Sequence, residues 1–215
     1  MNIFQPKILD KRRSKYNGEI IVTKDLAFGV TVRVGGLTQS GGIVEEIWRK
    51  TLRKVKSKKS EVKNCLILGL GGGSSAKVIR KFWPDATITG IDIDPIMIEM
   101  GNKYLGLDKL NVRIQVCDAF KFMTSKGQSR ISKFDLILID LYVGFEFPSE
   151  FEEEIFLKAI ARNLSTYGVA VFNRLYSGDK RPAAVKFGQK LEKVFSKVEY
   201  YYPQANLMFI CRSLN

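Results

Sequence analysis

Histidine is absent from all 215 residues, which excludes imidazole catalysis and histidine-ligated zinc outright. Cysteine is nearly as scarce. Cys65, Cys117 and Cys211 stand far apart, each inside an apolar, strand-like run, so they read as buried free thiols and not as a disulfide framework or metal site. No apolar run approaches the roughly 18 to 20 residues that cross a bilayer, and Met1 to Lys15 mixes charge with Pro6 where a signal peptide would be apolar. The expectation is a soluble, cytoplasmic protein without a membrane role. The last deficit is in acids: 22 Asp and Glu stand against 35 Lys and Arg, for a formal net charge of +13. That excess favours phosphates or acidic partners over cations.

What is present supports a single domain with a small appendage, since 45% of the residues are apolar and can bury a sizeable core. The cations are clustered. Lys7, Lys11, Arg12, Arg13 and Lys15 form one group; Arg49, Lys50, Arg53, Lys54, Lys56, Lys58, Lys59 and Lys63 form another. Two readings stand: a solvated helix face with a lysine-rich loop, or a patch for nucleic acid or an acidic partner.

Two β-rich runs between Glu19 and Val34, broken around Lys24 and Asp25, predict a small hairpin or sheet that Gly35 and Gly36 end. Helical spacing of Ile43, Ile47, Thr51 and Leu52 predicts a helix from Ile43 to Val55, and Val55 to Lys63 reads as a linker. Residues 1–56 are thus the N-terminal β segment and first helix, and residues 64–215 the main domain. In the latter, strand patterns Cys65–Gly69, Thr87–Asp92, Val112–Cys117, Phe134–Leu141 and Gly168–Asn173 alternate with helical ones. Such alternation points to a parallel sheet covered on both faces. Helices are expected at Ser75–Phe82, Pro95–Tyr104, Ala119–Ser125, Phe151–Leu164 and Ala183–Phe195. The last strands, Lys197–Tyr202 and Leu207–Arg212, are joined by four residues, too few for a parallel crossover, and must pair antiparallel. The fold expected is α/β: a Rossmann-like, seven-stranded, doubly wound sheet with an antiparallel C-terminal strand, plus the small N-terminal β hairpin or sheet.

The first strand of this domain runs into Gly69-Leu70-Gly71-Gly72-Gly73-Ser74. A turn lacking Cβ atoms lets a ligand lie on the backbone at the carboxyl edge of the sheet, where open α/β sheets bind ligands. Ser74 stands where a dinucleotide fingerprint needs glycine, so Gly69, Gly71 and Gly73 suit a ligand without pyrophosphate. Asp92 ends the next strand about twenty residues on, the distance expected of a carboxylate that accepts from two ribose hydroxyls. Asp94 reads as a helix cap. Asp118, before Ala119, is placed to take an adenine amino group, to cap a helix, or both. Asp140 ends the fourth strand beside the glycine turn, where an acid orients an attacking amine or accepts its proton, with Tyr142 close by. Phe145, Phe147 and Pro148 follow in a loop that either covers the site or packs.

Across about residues 16 to 212 these motifs resemble the spermidine synthase family within the class I methyltransferase superfamily, above all Leu68 to Gly73, Ile91 to Pro95, Asp118-Ala119 and Phe134 to Asp140. The resemblance implies that Gln39, Gly69, Gly71, Gly73, Asp92 with the adjoining Ile93, Asp118 and Ala119 contact a nucleoside. The ligand implied is S-adenosylmethionine or its decarboxylated form, with no metal, and Asp140 is implied as the catalytic-side acid. The chain departs from the family at Gly72, where an aspartate is usual, at Leu141 to Gly144 after the acid, and at Trp48-Arg49-Lys50, which replace a tyrosine-led acidic element. Losing acids and gaining Arg49 and Lys50 weakens complementarity to a polyamine. The expectation is therefore a spermidine-synthase-like transferase with methyltransferase-like activity on a small uncharged or acidic acceptor. Aminopropyl transfer in polyamine biosynthesis is the alternative, and a basic nucleic-acid-binding protein or a catalytically silent nucleoside-binding homologue is a further one. A homodimer is compatible with each.

Overall fold

The structure, a computed structural model, describes residues 6–58, 61–125 and 133–213. Four antiparallel strands open the chain in the order β1 (Lys7–Ser14), β2 (Gly18–Asp25), β3 (Gly29–Val34) and β4 (Leu37–Gly41). The expected hairpin is the inner pair, β2 and β3. The outer two strands carried no clear apolar alternation. In β1, Asp10 and Arg12 lie opposite Val22 and Ile20, both fully buried, and Leu9 alone of its apolar side chains packs on this small core, so the face that β1 adds is mostly polar. It is held by polar contacts: Asp10 accepts from Tyr104 Oη at 2.9 Å and from Lys103 Nζ at 3.0 Å. Gly35 and Gly36 do not end the β segment. Both have positive φ, at 54° and 85°, the conformation of a two-residue hairpin turn, and they fold the chain back into β4.

Helix α1 (Gly42–Lys56) follows and buries Ile47, Thr51 and Leu52 of the stripe its spacing predicts, together with Trp48 and Val55, while Ile43 is half-buried. The second sheet holds β5 (Asn64–Leu68), β6 (Thr87–Asp92), β7 (Val112–Val116), β8 (Phe134–Ile139), β9 (Leu164–Leu175), β10 (Lys197–Tyr201) and β11 (Asn206–Arg212). Their spatial order is β10-β11-β9-β8-β5-β6-β7. The first five of these strands in chain order pair parallel; β11 runs antiparallel to both β9 and β10. This is the expected seven-stranded sheet.

Helices α2 (Ser74–Phe82), α3 (Pro95–Met100), α4 (Ala119–Thr124), α5 (Glu154–Asn163) and α6 (Lys180–Glu192) flank it. The central strands are near-continuous apolar runs because both faces are covered: Leu66 and Leu68 belong to one core cluster, Cys65 and Ile67 to the other. Two helices are shorter than their apolar pattern predicts. The chain leaves α3 through a π turn at Gly101–Leu105, and a 3-10 turn at Ser149–Glu152 precedes α5. The three cysteines are free, Cys65 and Cys211 buried and Cys117 half-buried. Among the described residues no helix is long and apolar enough to cross a membrane, and no three His, Cys, Asp or Glu side chains converge as a metal site requires.

Candidate active site

Parallel pairing brings the carboxyl ends of β5, β6, β7 and β8 to one edge, and the functional side chains follow from that. At the end of β5, Gly69 N and Leu70 N donate to Ile91 O at 2.9 and 3.0 Å, while Asp140 N donates to Leu68 O at 2.8 Å. The glycine turn is thereby locked between the ends of β6 and β8. Gly69 has φ +83°, and a Cβ there would overlap the backbone carbonyl of Asp140, so only glycine lets these two strand ends meet. Gly69 and Gly71 line a cavity with about 990 Å³ of atom-free space, part of it open to solvent. Gly73 lies outside its wall, in the left-handed conformation that starts α2.

Asp92 stands at the bottom of this turn. Its Oδ2 accepts from Gly71 N at 2.7 Å and its Oδ1 from Asp94 N at 2.9 Å. Burial pushes the carboxyl up to about 6, against the opposing pull of these backbone donors. Ile93, Asp118 and Ala119 also line the cavity. Asp118 caps α4, accepting from Lys121 N at 3.0 Å, so it faces the cavity and starts the helix at once. Asp94 is fully buried; it caps α3 through Ile96 N at 2.9 Å and accepts from Asn17 Nδ2 at 2.7 Å.

On the other side of the glycine turn, Asp140 receives two donors. Trp48 Nε1 reaches Oδ2 at 2.9 Å, and Asn173 Nδ2 reaches Oδ1 at 2.8 Å. Burial raises this carboxyl above the ordinary aspartate range, and the two donors oppose the rise. Tyr142 lines the cavity, but its hydroxyl oxygen accepts from Leu175 N at 2.7 Å, which anchors the ring to β9. Burial pushes its phenol above the usual range. Gln39 lines the cavity from β4 and donates to Gly144 O at 3.1 Å. Beside it, Ser40 Oγ accepts from Gly72 N at 2.7 Å, tying the N-terminal sheet to the glycine turn.

Sequence reasoning did not identify Ser40, Asn173 or Glu150 as site residues, and it treated Trp48 as a departure from a motif. The helical spacing of α1, with Trp48 one turn before Leu52, was the one signal that could have placed it inward. The loop aromatics divide: Phe147 packs against Tyr142, Phe151 and Phe187, while Pro148 lines the cavity and Phe145 is exposed.

The cavity wall includes Asp92, Asp118, Asp140 and Glu150 and, among the described residues, neither lysine nor arginine. In a chain of net charge +13, that separation is local and strong. Arg49 and Lys50 do not face the cavity, contrary to the inference from their place after Trp48. Helical geometry turns them away: both pair with Glu46, at 3.7 and 3.0 Å, and only Trp48 of the three reaches the wall. Farther along the same helix and beyond it, Lys54 and Lys58 each reach Glu199 at 2.7 Å. Lys59 lies outside the described residues.

Comparison with known proteins agrees with this fold. A spermine synthase of Saccharomyces cerevisiae is 26% identical over 208 residues, 91% of this chain and 68% of its own length. A polyamine aminopropyltransferase of Chromobacterium violaceum is 33% identical over 137 residues, 62% of this chain, and the match spans about half (49%) of that relative. The crystal structure of spermidine synthase from Thermotoga maritima superposes with a TM-score of 0.78 at 20% identity, covering 97% of this chain and 73% of that one. Residues 50–205 match the spermine/spermidine synthase domain model, and the chain therefore belongs to that family.

Proposed function

We propose that the protein transfers an aminopropyl group from decarboxylated S-adenosylmethionine to an amine acceptor. The observation that carries this reading is the cavity wall, with four carboxylates and no lysine or arginine among the described residues. A sulfonium nucleoside whose side chain ends in an ammonium is cationic at both its reacting centre and its tail. S-adenosylmethionine itself adds a carboxylate, which would face acids and no cation. The same wall supports an amine acceptor, so aminopropyl transfer stands ahead of the methyl transfer that the missing motif acids suggested. Those acids are absent, but Arg49 and Lys50 do not take their place.

The residues present fit such a donor. Gly69 and Gly71 offer bare backbone, Asp92 accepts from the ribose hydroxyls, and Asp118 accepts from the adenine amine. The sulfonium already carries its leaving group, so the chain has to align the acceptor and exclude water. Asp140 orients the acceptor nitrogen. As the new N–C bond forms, the C–S electron pair stays on sulfur, and Asp140 takes the proton that the nitrogen releases. A buried carboxyl whose proton affinity is raised is suited to that acceptance.

Calorimetry with decarboxylated S-adenosylmethionine, S-adenosylmethionine and methylthioadenosine tests the donor, and mass spectrometry of putrescine and spermidine after incubation tests transfer. The expected result is tightest binding of the decarboxylated form and a mass gain of one aminopropyl group on an amine. Preference for S-adenosylmethionine, or a gain of one methyl group, would overturn it.

A further inference from the structure

Asp140 is held by a relay that reaches beyond the cavity. Asn206 Nδ2 donates to Asn173 Oδ1 at 2.8 Å, and Asn173 Nδ2 donates to Asp140 Oδ1 at 2.8 Å. Asn206 and Asn173 are both buried, and neither lines the cavity. A carboxamide has one oxygen end and one nitrogen end, so what touches one end decides what the other presents. With a donor fixed on Oδ1, Asn173 can only donate to Asp140.

The antiparallel pairing of β11 with β9 supplies that donor, setting Asn206 at the start of β11 against the end of β9, opposite Leu175. We propose that Asn206 is a positioning residue: acting through the amide of Asn173, it orients the carboxylate of Asp140 and keeps it in its proton-accepting form. This rests on the reading of Asp140 as the group that receives the acceptor's proton.

The other groups around Asp140 do not substitute for the relay. Trp48 of α1 donates to the opposite oxygen, Oδ2. Tyr142, from the loop after β8, accepts from Leu175 N at 2.7 Å and donates its hydroxyl proton to Asn173 O at 3.4 Å. Arg174, next to Asn173, pairs with Glu152 at 2.7 Å. Asp92, Asp118 and Glu150 share the cavity wall and supply no donor.

Asn206→Asp reverses the relay. The new carboxylate attracts Asn173 Nδ2, which turns Asn173 Oδ1 toward Asp140 and replaces attraction by repulsion. Trp48 reports the outcome without turnover, because its indole N–H is bonded to Asp140 and the only other tryptophan, Trp83, can be changed to phenylalanine.

In Trp83→Phe protein, the emission of Trp48 should titrate with Asp140, and adding Asp140→Asn should abolish that titration. Asn206→Asp should move the midpoint upward by about one pH unit or more, and Asn206→Leu should move it up by less. With Asn173→Leu also present, Asn206→Asp should no longer move it. An unmoved midpoint in Asn206→Asp, or a shift that persists without the Asn173 amide, would overturn the relay. The alkaline shift should also appear in the pH profile of kcat, with donor affinity unchanged. If Asp140→Asn retains full transfer, the role of Asp140 in proton acceptance fails, whereas the emission data still decide whether Asn206 orients it.

Discussion

Trp48 Nε1 donates to Asp140 Oδ2 at 2.9 Å across 92 positions of sequence. The indole and the carboxylate come from the two parts of the chain, the first helix and the fourth strand of the main sheet, so the acid is complete only when both have folded. The indole is a donor only, so it stabilises the carboxylate without competing for a proton.

Trp48→Phe removes that donor while keeping most of the buried ring. Stability should fall by about 1–3 kcal/mol, the usual cost of stranding a buried polar group. Turnover should drop at least about tenfold, and the acidic limb of the kcat profile should move to higher pH, because the carboxylate has lost one of two donors. Thermal melts and pH–rate profiles measure both effects. A turnover and profile unchanged from the parent would remove Trp48 from the site.

Nucleoside affinity should fall as pH drops through about 6, where the Asp92 carboxyl takes up its proton. The protonated acid loses acceptor capacity toward ribose hydroxyls, and affinity should decline about tenfold per pH unit below that point. Calorimetric titrations with methylthioadenosine between pH 5 and pH 8 check this. A flat affinity across that range would argue against Asp92 as the ribose acceptor.

Asp92→Asn separates binding from stability. The folded protein holds the Asp92 proton more tightly than the unfolded chain does, since burial raises the carboxyl from 3.8 to about 6. Native Asp92 therefore costs stability as pH rises through that window. Nucleoside binding should be lost in the variant. Its stability relative to the parent should improve by about 1–3 kcal/mol between pH 4 and pH 7, less whatever the lost backbone hydrogen bond costs. Chemical denaturation at several pH values gives the sign, and a relative stability that falls with pH would contradict it.

Gly72→Asp, which puts an acid into the turn where the sequence resemblance implies one, should not improve donor binding. A Cβ at Gly72 would lie 2.7 Å from Leu105 Cδ1 and 2.9 Å from Ser40 Cβ, and the position is not part of the main cavity wall. Overpacking of this kind costs about 1–3 kcal/mol. The variant should melt lower and bind decarboxylated S-adenosylmethionine no better than the parent.

Replacing both Arg49 and Lys50 with serine should leave turnover within about twofold, because their charge is spent on Glu46 at the surface. Steady-state kinetics with an amine acceptor provide the test. A large gain in acceptor affinity would show that these cations do oppose the substrate.

The main sheet, its reversed last strand and the glycine turn with Asp92 were legible in the sequence because each has a local signature: buried parallel strands are continuous apolar runs, a four-residue link forbids a crossover, and glycine marks a turn whose backbone must be approached. The helical stripe of α1 was equally plain. Strand β1 was not, because its Asp10 faces the small core beside Leu9 and is satisfied by Lys103 and Tyr104, far along the chain. Nor was the charge of the cavity. The motif comparison counted missing acids and added cations by position, whereas only the helix's rotation shows that Trp48 faces inward and its two basic neighbours do not. The environment of Asp140 needed three separate segments, at Trp48, Asn173 and Asn206, to arrive at one carboxylate. Residue type and spacing determine what a segment becomes when the forces are local; hydrogen bonds between distant segments, and the burial that strengthens them, exist only once the tertiary structure has formed.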